Sequence, residues 1–191
     1  MLKKIIPLGL LAMSTTVNAG GYVGAGFGES SADVTPYYYP GVTTSVSDTD
    51  TAFKLFGGYE FNDNVAVEGG YVKFGEFGVT YSDGSFDNVE ASAIYVAAVG
   101  SIPLGPVTLF GKAGFANWFV DYSAIDTTAW YWAWSDTATG IDPVVGLGVK
   151  FDVSQNFAVR GEAERFMDVG DAAFTGQSDI DVLSVSAVLK F

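Results

Sequence analysis

Residues 180–191 read IDVLSVSAVLKF, and the way this run divides decides the fold. Val182, Ser184, Ser186, Val188 and Lys190 share one face of an extended chain, while Leu183, Val185, Ala187, Leu189 and Phe191 share the other. Successive side chains of a strand point to opposite sides, so these two sets see different surroundings. One face is wholly apolar, and the other carries the hydroxyls and the charge. Residues 156–167 divide the same way, with Ala158, Arg160, Glu162 and Glu164 opposite Phe157, Val159, Gly161 and Ala163. Residues 51–61 set Lys54, Phe56, Gly58 and Glu60 against Phe53, Leu55, Gly57, Tyr59 and Phe61. A soluble β-sandwich or lipocalin-like barrel would keep its ionised groups in water and its apolar face inside. The interior of an eight-strand barrel is only wide enough for side chains. If lipid surrounds such a barrel, the apolar faces turn outward and the charges turn into the lumen.

Eight segments of this kind are predicted, at about 21–29, 51–61, 65–75, 90–102, 107–121, 140–151, 156–167 and 180–191. The segment at 90–102 is the least regular, because Tyr95, Val96 and Val99 blur its alternation. Connectors alternate in length. Asn62-Asp63-Asn64, Pro103 to Pro106 and Asp152 to Gln155 are tight turns, whereas 30–50, 76–89, 122–139 and 168–179 are long, polar and acidic. Mean hydropathy is +0.28, yet no apolar stretch of 18 residues follows Ala19, so the hydrophobicity is not packaged as spanning helices. An even number of strands with short turns at one end and long loops at the other describes an all-β, eight-stranded antiparallel up-and-down transmembrane barrel. Both ends of the chain then lie on the short-turn, periplasmic side.

The chain has 191 residues, with 22 acids against nine bases, no cysteine and no histidine. Missing cysteine excludes a disulfide framework and thiolate metal sites. Missing histidine excludes Ser-His-Asp triads and the usual zinc sites. A net charge of −13 argues against nucleic acid as a partner. Residues 1–19 read as a secretory signal peptide: Lys3 and Lys4 give a basic start, Ile5 to Met13 an apolar run, and Val17-Asn18-Ala19 a small-residue cleavage site. The barrel domain is then expected at 20–191, in the cell outer membrane, with seven of the nine cations.

From Asp142 to Phe166 the sequence resembles the penultimate hairpin of the outer-membrane protein A-like eight-stranded barrels. The run Phe56-Gly57-Gly58-Tyr59-Glu60-Phe61-Asn62-Asp63-Asn64 resembles that family's first periplasmic hairpin. Phe191, with apolar residues at alternate positions before it, resembles the C-terminal signal read by the outer-membrane assembly machinery. The resemblance covers essentially the whole chain after the leader, with one departure: the expectation is a barrel-only member, with no peptidoglycan-binding domain and no wall-anchoring role inherited. It also implies a lumenal salt-bridge network, which by position would involve Glu68, Lys112, Lys150, Arg160 and Glu162. Lys150 departs from the family pattern, which would place an acid there, so the pairing cannot be a copy.

Parity on its own assigns Lys54, Lys112, Lys150, Arg160 and Lys190 to the lumen, together with Glu60, Glu68, Glu162 and Glu164. Unpaired burial would cost several kcal/mol each, so these groups should pair. The network is read either as a structural plug that fixes register or as a gate in a narrow ion path. Lys73 and Arg165 fall on the outward parity, each eight residues above a periplasmic turn, a climb of roughly 19 Å at about 3.3 Å per residue and a tilt near 45°. Both can snorkel to the outer rim of the apolar band, where lipopolysaccharide phosphates are a candidate contact and ordinary rim charge the alternative.

The long connectors hold acids and no Lys or Arg. Asp48-Thr49-Asp50 and Asp179-Ile180-Asp181 have the i, i+2 spacing of calcium sites but lack the glycine and closing Glu of an EF-hand, so no metal site or cofactor is assigned. Tyr37-Tyr38-Tyr39 and the window Trp130, Tyr131, Trp132, Ala133, Trp134 are candidate interaction surfaces for a host or surface ligand. The tryptophans have a second reading as the outer aromatic girdle. Gly24-Ala25-Gly26-Phe27-Gly28 superficially suggests a phosphate loop, but it opens a strand and precedes no helix, so small lumen-facing residues account for it better. Barrels of this kind that cut peptides or remodel lipid A generally use a histidine, and none exists here. The expected function is therefore a non-enzymatic structural and surface-contact role in the envelope, with a narrow or gated pore for small solutes as the alternative.

Overall fold

The computed structural model describes residues 20–32, 44–46, 49–81, 86–126, 132–170 and 178–191. The expected leader at 1–19 lies outside these residues, as do Tyr37, Tyr38, Tyr39, Trp130 and Tyr131. Eight strands build the wall: β1 (Gly21–Ala32), β2 (Thr49–Asn62), β3 (Val65–Tyr81), β4 (Phe86–Leu104), β5 (Val107–Asp126), β6 (Trp132–Asp152), β7 (Phe157–Val169) and β8 (Ser178–Lys190). Each pairs antiparallel with its neighbour in the chain. Pairing of β1 with β8, from Tyr22↔Lys190 to Ala32↔Ile180, closes the barrel. A three-residue strand, Thr44–Val46, adds to the outer end of β3 opposite Val79–Tyr81. Among the described residues there is no helix; the chain crosses the membrane with strands.

The periplasmic turns are set by local chemistry. The Asn62 side chain accepts hydrogen bonds from the backbone amides of Asn64 and Val65, both at 2.9 Å, an Asx turn that reverses the chain. Leu104↔Val107 leaves Gly105 and Pro106 as the turn, and Gly105 has φ +72°, the left-handed region that favours glycine. At the β6–β7 turn the backbone amides of Val153 and Ser154 both donate to the Phe157 carbonyl at 3.0 Å.

Among the described side chains, burial follows strand parity. Phe27, Phe53, Leu55, Ile94, Val96, Phe115, Leu147, Leu183 and Val185 face outward and are exposed, which makes the apolar band that lipid covers. Tyr22, Phe56, Val72, Phe74, Tyr95, Val99, Phe110, Trp118, Val144, Phe166 and Val188 face the lumen and are buried. The irregular segment is thereby resolved: Tyr95 and Val99 point in and Val96 points out.

Five of these lumenal rings lie over a glycine directly across the strand pair: Tyr22 over Gly58, Phe56 over Gly24, Tyr95 over Gly70, Phe110 over Gly148 and Trp118 over Gly140. A Cβ at any of these glycines would stand 2.3 to 2.6 Å from the ring. The absence of a side chain on one strand makes room for a ring on the next, and so rings can pack a narrow lumen.

The strands are longer than the sequence reading at their outer ends. β4, β5 and β6 span 19, 20 and 21 residues, whereas β1, β7 and β8 span 12, 13 and 13. Most of the expected connectors at 76–89 and 122–139 are therefore hairpin rather than loop. At about 3.3 Å per residue and a 45° tilt, β6 climbs about 45 Å and β8 about 28 Å, against an apolar band about 25 Å tall. A sheet of β3 to β6 thus projects beyond the membrane on one side of the barrel. Trp132 and Trp134 belong to β6 rather than to a loop.

Candidate functional site

The middle of the lumen is filled by three cations and three carboxylates contributed by four strands. Lys54 on β2 sits 2.5 Å from Glu162 and 2.6 Å from Glu164, both on β7. Lys112 on β5 reaches Glu162 at 2.9 Å and Glu68 at 3.3 Å, and also pairs with Glu164. Arg160 on β7 pairs with Glu68 on β3 and, at 2.7 Å, with Glu162. All six are buried: Lys54 is 1% exposed and Glu68 0%. Glu68 is the centre of the set. Its two oxygens accept from Tyr22 at 2.9 Å, Tyr95 at 2.8 Å, Lys112, and both terminal nitrogens of Arg160.

The charges balance, so the interior holds no net charge that would need water or a counter-ion. Aromatic faces supply the remaining surroundings of the cations: Lys112 lies 4.3 Å from the Tyr95 ring centroid, and Arg160 lies 4.1 Å from that of Phe110 and 4.8 Å from that of Phe56. Above this layer Phe74 and Phe166 meet edge-to-face at 4.8 Å. The Trp118 indole donates to Asp142 at 2.6 Å.

A second tier closes the periplasmic mouth. Lys150 on β6 meets Glu60 on β2 across the lumen at 3.0 Å, and Lys190 on β8 meets Asp152 at 2.8 Å. Parity counted five lumenal cations against four acids; Asp152, read from the sequence as part of a turn, supplies the fifth. Lys150 stands directly opposite Arg160 in the β6–β7 register, so like charge keeps it out of the central set and Glu60 holds it at the mouth. Between the tiers is a cavity of about 30 Å³ bordered by Tyr22, Thr108, Phe110, Lys150 and Arg160, room for one or two waters. Tyr22, Tyr95 and Asp152 were not among the sequence candidates. The two tyrosines carry lumenal parity, which would have found them.

The two outward-facing cations are half exposed, and each has an acid beside it. Lys73 meets Glu90 at 2.7 Å, and Arg165 makes a two-point contact with Asp181 at 2.7 and 2.6 Å. Asp179 lies 3.8 Å from the same guanidinium. Asp179 and Asp181, one of the two pairs with calcium-like spacing, thus flank a cation; Asp48 of the other pair lies outside the described residues, and no group of three acids among the described residues is placed to hold a metal ion. Asp50, near the outer end of β2, is held below the usual carboxylate range by the backbone amide of Glu76 and then that of Thr51, both at 2.6 Å. A depressed carboxyl contributes stability above its unfolded value and loses it as pH falls through the folded one. The Glu76 amide is therefore expected to keep its hydrogen-exchange protection through the neutral range and lose it only well below about pH 4, while Asp50→Asn flattens that dependence.

An apolar outer wall around a neutralised polar lumen defines an integral barrel of the outer membrane. The chain belongs to the OmpA-like transmembrane domain family, whose model matches residues 17–191, and its place is the cell outer membrane. It is 26% identical over 179 residues to outer membrane protein A of Serratia marcescens and 27% identical over 181 residues to that of Klebsiella pneumoniae, 89% of this chain in each case. It spans about half the length of these curated relatives, 49% and 50%. Among solved structures it is similar to Neisserial surface protein A, with a TM-score of 0.60, 18% identity and coverage of 90% of this chain and 97% of that one. It is also similar to Ail, the attachment invasion locus protein of Yersinia pestis, with a TM-score of 0.58, 16% identity and coverage of 92% and 100%.

Proposed function

We propose that this barrel is a non-enzymatic element of the outer membrane with a structural and surface-contact role, its lumen closed rather than conducting. The observation that carries this reading is the balanced six-group plug at mid-lumen, held by four strands and packed between aromatic rings. Burying ions in this way is costly unless every one is paired, and here the pairing crosses the barrel and ties opposite walls together. The projecting sheet supports a surface-contact role, as does the likeness to a protein named for attachment and invasion. Liposomes carrying the folded barrel are expected to swell no faster than empty ones in an isosmotic small sugar. Rapid swelling would transfer the assignment to a pore.

Partners follow from position. Phe191 is exposed at the periplasmic rim and its backbone amide donates to Gly21 at 2.9 Å, where the assembly machinery would meet it. Lys73 and Arg165 are half exposed at the outer rim, within reach of lipopolysaccharide phosphates in competition with their own acids. Neutralising both is expected to lower lipopolysaccharide retained on purification, and unchanged retention would remove that contact.

A further inference from the structure

β1 is the strand at which the barrel closes, paired with β2 on one side and with β8 on the other. The expected cleavage after Ala19 leaves Gly20 as the residue that leads into it. Gly20 is held at its carbonyl, which accepts from the Glu60 amide at 3.0 Å. Its Cα faces two further acceptors. A Cβ at Gly20 would stand 3.7 Å from Glu60 Oε2 and 3.9 Å from the Phe191 carbonyl oxygen. Glu60 belongs to β2, and Phe191 follows β8 directly. Lys150 donates to Oε1 of Glu60 at 3.0 Å, and no described residue donates to Oε2.

Hydrolysis of the Ala19–Gly20 peptide bond places the water oxygen on the Ala19 carbonyl carbon, giving a carboxylate, and leaves the Gly20 nitrogen as an ammonium. One N–H donor becomes three, with a positive charge. A turn of about 120° about the Cα–C bond of a glycine carries its nitrogen into the side-chain position, and no Cβ obstructs that turn. The carbonyl held by the Glu60 amide does not move. A chain end makes the turn freely, whereas in the uncleaved chain the same nitrogen carries the leader. Turned in this way, the ammonium comes within ion-pair distance of Oε2 of Glu60.

We infer that removal of the leader supplies a further cation to the periplasmic mouth, the α-ammonium of Gly20, which pairs with Glu60 and donates to the Phe191 carbonyl. Glu60 then stands between Lys150 and Gly20, one oxygen turned to each. The new contact joins β1 to the strands on both sides of it, at the seam where the barrel closes. A chain still joined to its leader lacks it, so cleavage and closure of the mouth are coupled. This inference goes beyond the closed-lumen reading and rests on the expected cleavage position.

The test starts from the chain purified out of outer membranes, whose intact mass is expected to show a start at Gly20. Any other start overturns the leader reading and the pairing with it. The folded chain in detergent micelles is then treated with an amine-acylating ester at about pH 7, where a free α-amine is partly deprotonated. Acylation of Gly20 is followed by peptide mass spectrometry, with the urea-unfolded chain as reference. The Gly20 amine is expected to react about three- to fivefold more slowly in the folded chain, as a partly exposed ion pair would give. Glu60→Gln should remove most of this protection. Lys150→Met, which leaves Glu60 to Gly20 alone, should increase it. Both variants should keep the boiled-versus-unboiled mobility shift on SDS gels. With a Gly20 start confirmed, full protection in Glu60→Gln would reduce the effect to burial and overturn the inference alone. So would an unprotected amine in the parent, or protection lost in Lys150→Met.

Discussion

Replacing Glu68 with alanine is expected to destabilise the barrel by about 3–5 kcal/mol, the cost of removing one partner from a buried ion set. Five hydrogen bonds end on its carboxylate. Without it the central tier holds three cations against two acids, and the hydroxyls of Tyr22 and Tyr95 lose their acceptor. Glu68→Gln should recover part of the loss, because an amide keeps the shape and one acceptor but not the charge. Urea unfolding in lipid vesicles, followed by the mobility of unboiled samples, measures both. Lys190→Ala is the contrast: its pair with Asp152 is partly exposed, and a loss under about 1 kcal/mol is expected there. Equal losses at Glu68 and Lys190 would contradict the division into tiers.

Gly148→Val is expected to cost about 3 kcal/mol, through overpacking rather than loss of contacts. A Cβ at this position would stand 2.3 Å from Cζ of Phe110 and 2.6 Å from the Gly161 carbonyl oxygen. The ring could swing away, but the neighbouring strand's backbone cannot. Pairing it with Phe110→Ala should restore only part of the stability, since the carbonyl contact remains. Gly161→Ala is the control, because nothing lies within 4 Å of a Cβ there. The same unfolding assay separates the three variants.

Most of the wall was legible because a strand in a membrane must choose a side for every residue. Lys54, Lys112, Arg160 and the three glutamates of the plug were identified by parity alone, and all of them are buried in the lumen. Parity says nothing of height or partner. It could not show that Lys150 stands beside Arg160 and is held at the mouth, nor that Asp152 completes the charge balance from what reads as a turn. Outer strand ends were lost for a related reason: polar residues such as Ser123, Thr137 and Thr139 read as loop, because above the membrane both faces of a strand meet water and the alternation disappears. The divergence of β7 from β6 depends on the backbone at Asp168 and Gly170, and an Asp with positive φ leaves no periodic signal.

The central claim is that the lumen is sealed by a neutral set of buried ion pairs. Single-channel recording of the folded chain in planar bilayers tests it most directly. The account predicts silence, broken at most by brief events without a preferred size. A steady open state of constant conductance in the unmodified chain would contradict it.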